Sequence, residues 1–393
     1  MYKINDKIVT FLPWESIEVE AQQQIINTSQ VPCLFHHVAV MPDCHYGMGA
    51  TVGTVLATKG AVIPAAVGVD IGCGMIAVKT NLKKEDVLPH LKTIREGLER
   101  RIPMSAGKFN QKIQESAQAR IKELEELAGD VDLDKKFGTT SWRSQLGTLG
   151  GGNHFIELCL DEYDAVWATL HSGSRGIGNK IGMYYIKKAQ GLMEQFHIEL
   201  PDKDLSYLPE GTPEFDEYIF FLRWAQKFAL LNREEMMDRF LTELKYTVLG
   251  NSNSDIELER INSHHNFTQI ENHFGHNIWI TRKGAVKADL NDRGMIPGSM
   301  GTRSYIMRGL GNKMSFNSSP HGAGRRMSRT KARQAFKMED LEKSMEGIEY
   351  RRSDVLIDEI PGAYKDIDEV MDNAKELVEV EYTLKQILNC KGD

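Results

Sequence analysis

Asp70 and Cys73 lie three residues apart in the run Gly68-Val69-Asp70-Ile71-Gly72-Cys73-Gly74-Met75. A carboxylate and a thiolate are both anionic metal ligands, and the three glycines remove side chains that would crowd an ion. Histidines recur in four further glycine- or asparagine-rich contexts: Gly-Gly-Asn-His154, His171-Ser-Gly-Ser-Arg175, His264-His265-Asn266 and Pro320-His321-Gly-Ala-Gly-Arg325. Together they imply one metal and phosphate site assembled from segments far apart in the chain. Two ions sharing a site need a bridging anion. Asp70, Cys73, His154, His171 and His265 would supply two partly open coordination spheres, with Cys73 as the bridge. On ligand chemistry alone zinc is the expected ion, because thiolate and imidazole suit it. Within the tandem pair His264 reads as a neighbour and His265 as the ligand, a choice that spacing leaves open. His36, His37, His90, His197, His273 and His276 carry no such context and read as structural.

His321 differs from the other histidines. Gly322, Gly324 and Arg325 flank it, so a phosphate can approach its ring, and a neutral imidazole can attack phosphorus to form a phosphoramidate. Six glycine-dense turns recur along the chain: HYGMGATVG, GVDIGCG, GTLGGGNH, HSGSRGIG, PGSMG and HGAGR. Such turns expose main-chain N–H groups to anions. None is a Walker A loop, and GMGATVG misses the spacing of the Rossmann fingerprint. A nucleotide pocket built from them would be of another type.

The elements that must position these residues begin with VPCLFHHVAV, TVGTVLAT and GMIAVKT, which read as strands, and HFIELCL and AVWATLH, which return to the same composition. Helical excursions are expected over 83–128 and 213–248. In the second, Tyr218, Phe221, Leu222, Ala225, Phe228, Ala229, Asn232, Met236 and Phe240 recur at helical spacing between Pro213 and Gly250. Strands resume at 277–289, and a last helical segment is expected over about 366–389. This order predicts an α+β fold, a single large domain (1–393) of mixed or antiparallel sheets with flanking helices rather than a doubly wound sheet.

Composition narrows the class. At 41% apolar residues the chain of 393 can bury a large core. No run is long and apolar enough to span a bilayer, and the N-terminus lacks the order of a signal peptide; a cytoplasmic protein is expected. Cys33, Cys44, Cys73, Cys159 and Cys390 are odd in number and irregularly spaced, which is not a disulfide framework. The net charge of −7 is unevenly spread: residues 281–337 hold thirteen Lys or Arg against Asp289 and Asp292, a local +11 that leaves −18 for the remainder. That segregation predicts a basic face for a polyanion.

The ordered motifs GVDIGCGM, GGGNHFIE, HSGSRG, HHN, RKGA, IPGSMG, SPHGAGR followed by MSRTKA, and PGAYKDID resemble the RtcB family of GTP-dependent RNA ligases, and the likeness runs from MPDCHYGMGATVG to Lys391-Gly392. The resemblance implies an enzyme that joins an RNA 3′-phosphate or 2′,3′-cyclic phosphate to a 5′-hydroxyl, using GTP as co-substrate and two Mn²⁺ ions, in tRNA splicing or RNA repair. It replaces zinc with manganese at Asp70, Cys73, His154, His171 and His265, and makes His321 the residue that carries GMP. Guanylate contacts carry over to Asn153, His154, Phe155, Ile156, Glu157, His265, Asn266, Pro297, Gly298, Ser299, Met300, Ser304, Gly322, Ala323, Gly324 and Lys391. Asp43, His45 and Arg175 would line the RNA-end side. A monomer is expected, with an archease-type activator as a partner. The chain departs from the family pattern at Pro320, where Cys or Ser is usual, and at Cys44 and Tyr46. Proline removes an N–H beside the guanylated histidine, and the departures together point to a paralogue acting on damaged RNA rather than tRNA halves. Two other readings use fewer of the residues. A dinuclear phosphodiesterase needs the ligands without His321, and a non-catalytic RNA-binding protein needs neither.

Overall fold

Nearly all strand pairings in this protein are antiparallel, so distant segments meet edge to edge instead of through helical crossovers. The computed structural model describes residues 1–251 and 253–392. A six-stranded sheet runs in the order Tyr2–Asn5, Ile8–Thr10, Leu34–His45, Val52–Thr58, His276–Lys283, Asn266–His273. A larger sheet runs Glu257–His264, Gly74–Lys83, Ala165–Ser172, Phe155–Leu160, Val378–Cys390, Ser304–Gly309, Arg293–Ile296, with Glu349–Tyr350 pairing parallel to Val378–Cys390. Both sheets draw on the first and last thirds of the sequence. Among the described residues this α+β arrangement has neither a P-loop nor a Rossmann crossover.

Register gathers the site. Gly74 stands opposite both His264 and Ser172, and His171 opposite Phe155. The residues just outside these strand ends, Cys73, His154 and His265, therefore emerge with His171 at one edge of the larger sheet.

The helix Pro213–Leu249 backs this edge. Thr212 caps its start by accepting from the Phe215 N–H, and Gly250 ends it in a left-handed conformation. Its first half packs with the helix Arg175–Gln195 around Tyr185, Tyr218, Leu222 and Phe228. Its second half lays Met236, Phe240 and Leu244 against Ile76, Leu158 and Leu170 of the sheet.

Three local expectations give way to packing. The helical stretch 83–128 is interrupted: helices cover Lys84–Val87, Leu91–Arg101 and Gln118–Ala128, with non-helical chain over 103–114. The segment expected to be helical over 366–389 is a short helix, Ile367–Asn373, followed by the thirteen-residue strand Val378–Cys390. Val378, Val380, Tyr382 and Leu384 alternate there with polar residues, and strands on both sides supply the pairing that favours the period of two. The glycine turn HSGSRGIG is only half a turn, since the helix begins at Arg175. A Cβ on Gly178 would collide with Ser174 Oγ of the helix's own cap, and one on Gly182 would press on the Val69 main chain, so Gly182 lets the helix approach the Asp70 loop.

Candidate metal and nucleotide site

The Asp70–Cys73 loop is pinned from three sides. The Gly72 N–H donates to Asn266 O (2.6 Å), and Cys73 O accepts from the His265 N–H (2.7 Å). Gly72 has φ +71°, and a Cβ there would lie 2.8 Å from Ala229 of the long helix, so only glycine lets the loop sit this low.

Two donor groups share one atom. Asp70, Cys73 and His154 form one set and Cys73, His171 and His265 the other, with the ligand atoms of each within 4.8 Å of one another. Cys73 Sγ lies 3.4 Å from His154 Nε2 and 3.2 Å from His171 Nε2, and His171 Nε2 lies 2.8 Å from His265 Nε2. His264 turns away, with Nδ1 against Arg233 and Gly72 O.

The far side of each imidazole shows why this crowding suits cations. His154 Nδ1 faces Leu149 O (2.9 Å), His171 Nδ1 faces Asn153 O (3.1 Å), and His265 Nδ1 faces Asn266 Oδ1 (3.2 Å). A carbonyl oxygen can only accept, so each Nδ1 carries a proton. The Nε2 atoms of His171 and His265 then present lone pairs, while His154 Nε2 lies 3.0 Å from Asp70 Oδ2, a contact that a proton or a cation must bridge. Burial pushes His171 and His265 well below the usual histidine range, which keeps them neutral. Burial and the Asp70 charge push the Cys73 thiol up, and a coordinated cation reverses that logic by deprotonating the thiol. Lone pairs, a thiol and a carboxylate packed at these distances repel one another unless protons or cations lie between them. The donor set fits two divalent ions.

His321 follows the strand Ser318–Pro320 and stacks at a tilt on His265, ring centroids 4.6 Å apart. Its Nδ1 lies 2.6 Å from Asp43 Oδ2. Asp43 is fully buried and does not line the cavity; its Oδ2 is taken by the His321 turn and its Oδ1 is buried without a partner. His45 does face the cavity, with Nδ1 toward Asp43 O (3.0 Å). Arg175 lies behind Gly150 on the His154 side, its Nε donating to Thr148 Oγ1 (3.0 Å), and does not line the cavity.

A cavity of about 300 Å³ opens beside His321 and His265. Asn153, Phe155, Glu157, Asn266, Pro297–Met300, Gly322–Gly324 and Lys391 line it. Ile156 does not: strand alternation turns it away from Phe155 and Glu157 into the core. Ser304 is also behind the wall, its Oγ accepting from the Gly298 N–H (3.4 Å) and from Gln386 (3.3 Å). Glu157 Oε1 accepts from Asn389 (2.8 Å), while Oε2 is buried without a partner.

Arg325, singled out beside His321, lines the cavity too; sequence reasoning missed Lys283, Arg329, Glu359, Tyr364 and Gln386, which also form its walls. Buried Glu359 pairs with Lys391 (2.8 Å), Arg325 (3.2 Å) and Arg329. The basic segment is not a uniform basic face. Arg282 is spent on Glu271, Arg293 on Glu259 and Glu381, Arg308 on Glu379 and Lys287 on Asp289, and Arg325 and Arg329, though paired with Glu359, also line the cavity. Signals for the arginines were present in the sequence, four residues apart just after His321. Gln386 was hidden because its strand read as helix.

The sequence profile of the family described as "tRNA-splicing ligase RtcB" matches residues 24–392. The chain belongs to this family. It is 49% identical over 389 residues to "RNA-splicing ligase RtcB" of Escherichia coli (strain K12), covering 96% of this chain and 95% of that one. It is 30% identical to "tRNA-splicing ligase RtcB" of Methanococcus maripaludis, covering 92% and 88%, and 31% identical to that of Aeropyrum pernix, covering 90% and 88%. Among the described residues, no helix is long and apolar enough to cross a membrane.

Proposed function

We propose that this RtcB-family chain acts as one ligase domain that joins RNA 3′-phosphate or 2′,3′-cyclic phosphate ends to 5′-hydroxyl ends, through GMP carried on His321. The observation that carries the reading is His321 itself: Nδ1 is engaged by Asp43, the ring lies against His265, and it opens on a glycine-lined cavity with Glu157 at its wall. Asp43 can only accept, so His321 keeps its proton on Nδ1 and offers the Nε2 lone pair.

Each residue then has a task. The buried, unpartnered Oε2 of Glu157 suits the N1–H and exocyclic amine of guanine, and would face the unprotonated N1 of adenine with repulsion. Arg325, Arg329 and Lys391 supply positive charge for phosphates, and the main chain of Gly322–Gly324 lets them approach. His321 Nε2 attacks the α-phosphorus, the phosphoramidate bond forms and pyrophosphate leaves; Asp43 offsets the positive charge that develops on the ring. An oxygen of the RNA 3′-phosphate then takes GMP, returning the lone pair to Nε2. The 5′-hydroxyl attacks the activated end, loses its proton, and GMP departs. Two Mn²⁺ ions held by Asp70, Cys73, His154, His171 and His265 would withdraw charge from the phosphates and activate water for opening a cyclic end.

The test is a covalent adduct. The purified chain, incubated with α-labelled GTP and Mn²⁺, is expected to retain label that is acid-labile and alkali-stable, and His321→Ala is expected to retain none. Undiminished labelling of His321→Ala would remove the assigned nucleophile, and GTP-independent opening of cyclic ends without joining would favour a phosphodiesterase. Cleaved tRNA anticodon loops offered against nicked ribosomal fragments, with and without an archease-type activator, would define the substrate.

A further inference from the structure

Asn232 and Arg233 are consecutive residues in the middle of the helix Pro213–Leu249, and both are completely buried. Helical periodicity assigned Asn232 to an apolar stripe, where a carboxamide has no business unless fully hydrogen-bonded. It is. Asn232 Oδ1 accepts from the main-chain N–H groups of Gly147 (2.7 Å) and Thr148 (3.2 Å), and Nδ2 faces Thr148 O, Ser172 Oγ and Gly173 O, each at 3.2 Å. Arg233 Nη1 donates to Gly72 O (2.8 Å) and Ser172 O (3.0 Å), Nε donates to Asn262 Oδ1 (2.7 Å), and Nη2 lies 3.1 Å from His264 Nδ1.

These contacts coincide with the ligand-bearing segments. Gly72 precedes Cys73, Ser172 follows His171, and Asn262 and His264 lead into His265. Thr148 precedes Leu149, whose carbonyl fixes the His154 ring and also accepts from Ser172 Oγ (2.8 Å). All four segments thus converge on two adjacent side chains. A buried guanidinium is costly to retain without a carboxylate in contact, and among the described residues Arg233 has none within ion-pair distance.

We propose that Asn232 and Arg233 are positioning residues of the dinuclear centre, holding its four ligand segments at fixed spacing before a cation enters. The inference rests on the metal reading above and deepens it: ion affinity, more than folding, depends on this pair.

Binding of Mn²⁺ to the full metal-free chain, followed by the paramagnetic resonance of the free ion, tests it. The wild-type chain is expected to take up two ions. Arg233→Lys keeps a charge but loses the planar fork. It is expected to bind at least about tenfold more weakly, as when outer partners of metal ligands are removed, with a cooperative metal-free melt retained. Phe240→Leu, on the same helix but facing the sheet core, is the control: it is expected to lower the melting temperature and leave affinity alone. Wild-type affinity in Arg233→Lys overturns the proposal, as does an equal loss of affinity in Phe240→Leu. If Arg233→Lys does not fold, Asn262→Ala removes the lateral anchor of the guanidinium together with a bond from Asn262 to Glu234 on the outer side of the helix, and unchanged affinity there overturns it equally. A wild-type chain that takes up no Mn²⁺ removes the metal reading first, a result distinct from the others.

Discussion

His321 Nδ1 and Asp43 Oδ2 are 2.6 Å apart, and the same carboxylate oxygen also lies 3.0 Å from the His321 main-chain nitrogen and 3.3 Å from that of Gly322. Three N–H groups on one buried oxygen fix the ring, its tautomer and the turn that carries it. Asp43→Asn keeps the shape, since an amide oxygen can accept the same bonds, but removes the charge that offsets a cationic ring. Guanylylation is expected to slow by roughly 10²–10⁴-fold, the scale seen when a histidine loses its orienting carboxylate, with Mn²⁺ affinity unchanged. The rate of adduct formation measures this, and a change under about twofold would assign Asp43 to folding alone.

The two donor groups are separable because only Cys73 belongs to both. A Cβ on Gly173 would lie 2.1 Å from Asp70 Oδ1, so Gly173→Ala is expected to expel that carboxylate and leave Cys73, His171 and His265 in place. One Mn²⁺ should bind where two did. Cys73→Ser is expected to weaken both ions, and His265→Ala only the second. Two full-affinity ions in Gly173→Ala would break the assignment of Asp70.

The site was legible where residue type alone carries the chemistry. Asp70, Cys73 and the histidines offer donor atoms whatever element bears them, and glycine neighbours marked their loops. Direction was less legible. Ile156 cannot reach the cavity that Phe155 and Glu157 line, a consequence of strand alternation that a list of consecutive contacts ignores. The strand Val378–Cys390 was read as helix, so Gln386 and Asn389, which close the pocket around Glu157, could not be aimed. Asp43 was assigned to the RNA side because adjacency to His321 spans 278 positions and no local pattern encodes it. Arg233 left no periodic signal, since a buried cation on a core helix looks like one more exposed charge.

Glu157 links pocket chemistry to pH. Burial holds its carboxyl up to about 8, only partly offset by Asn389, Lys391 and Gln386. A raised folded-state pKa means the native protein binds more protons than the unfolded chain between about 4.5 and 8. Stability of the nucleotide-free protein should therefore fall as pH rises through that window. Guanine donates to the ionised carboxylate, so GTP affinity should rise over the same window. Glu157→Gln is expected to flatten both trends and weaken GTP binding. Melting temperatures and GTP dissociation constants measured from about pH 6 to 9 check the paired signs; parallel trends in stability and affinity would contradict the assignment.

Pro320 stands beside His321, the proposed nucleophile, and its surroundings argue that a proline there is neutral for chemistry. It ends the strand Ser318–Pro320, buried opposite Ala285, where its ring fills ladder space outside the cavity wall. The N–H groups that hold the His321 turn come from His321 and Gly322, not from residue 320. Pro320→Ser is expected to leave the rate of guanylylation within about twofold and to cost roughly 0.4–1 kcal/mol of stability, through the freedom the unfolded chain regains. Adduct kinetics and denaturant unfolding of the same variant separate the two effects. A large rate change at unchanged stability would mean that the proline tunes the nucleophile after all.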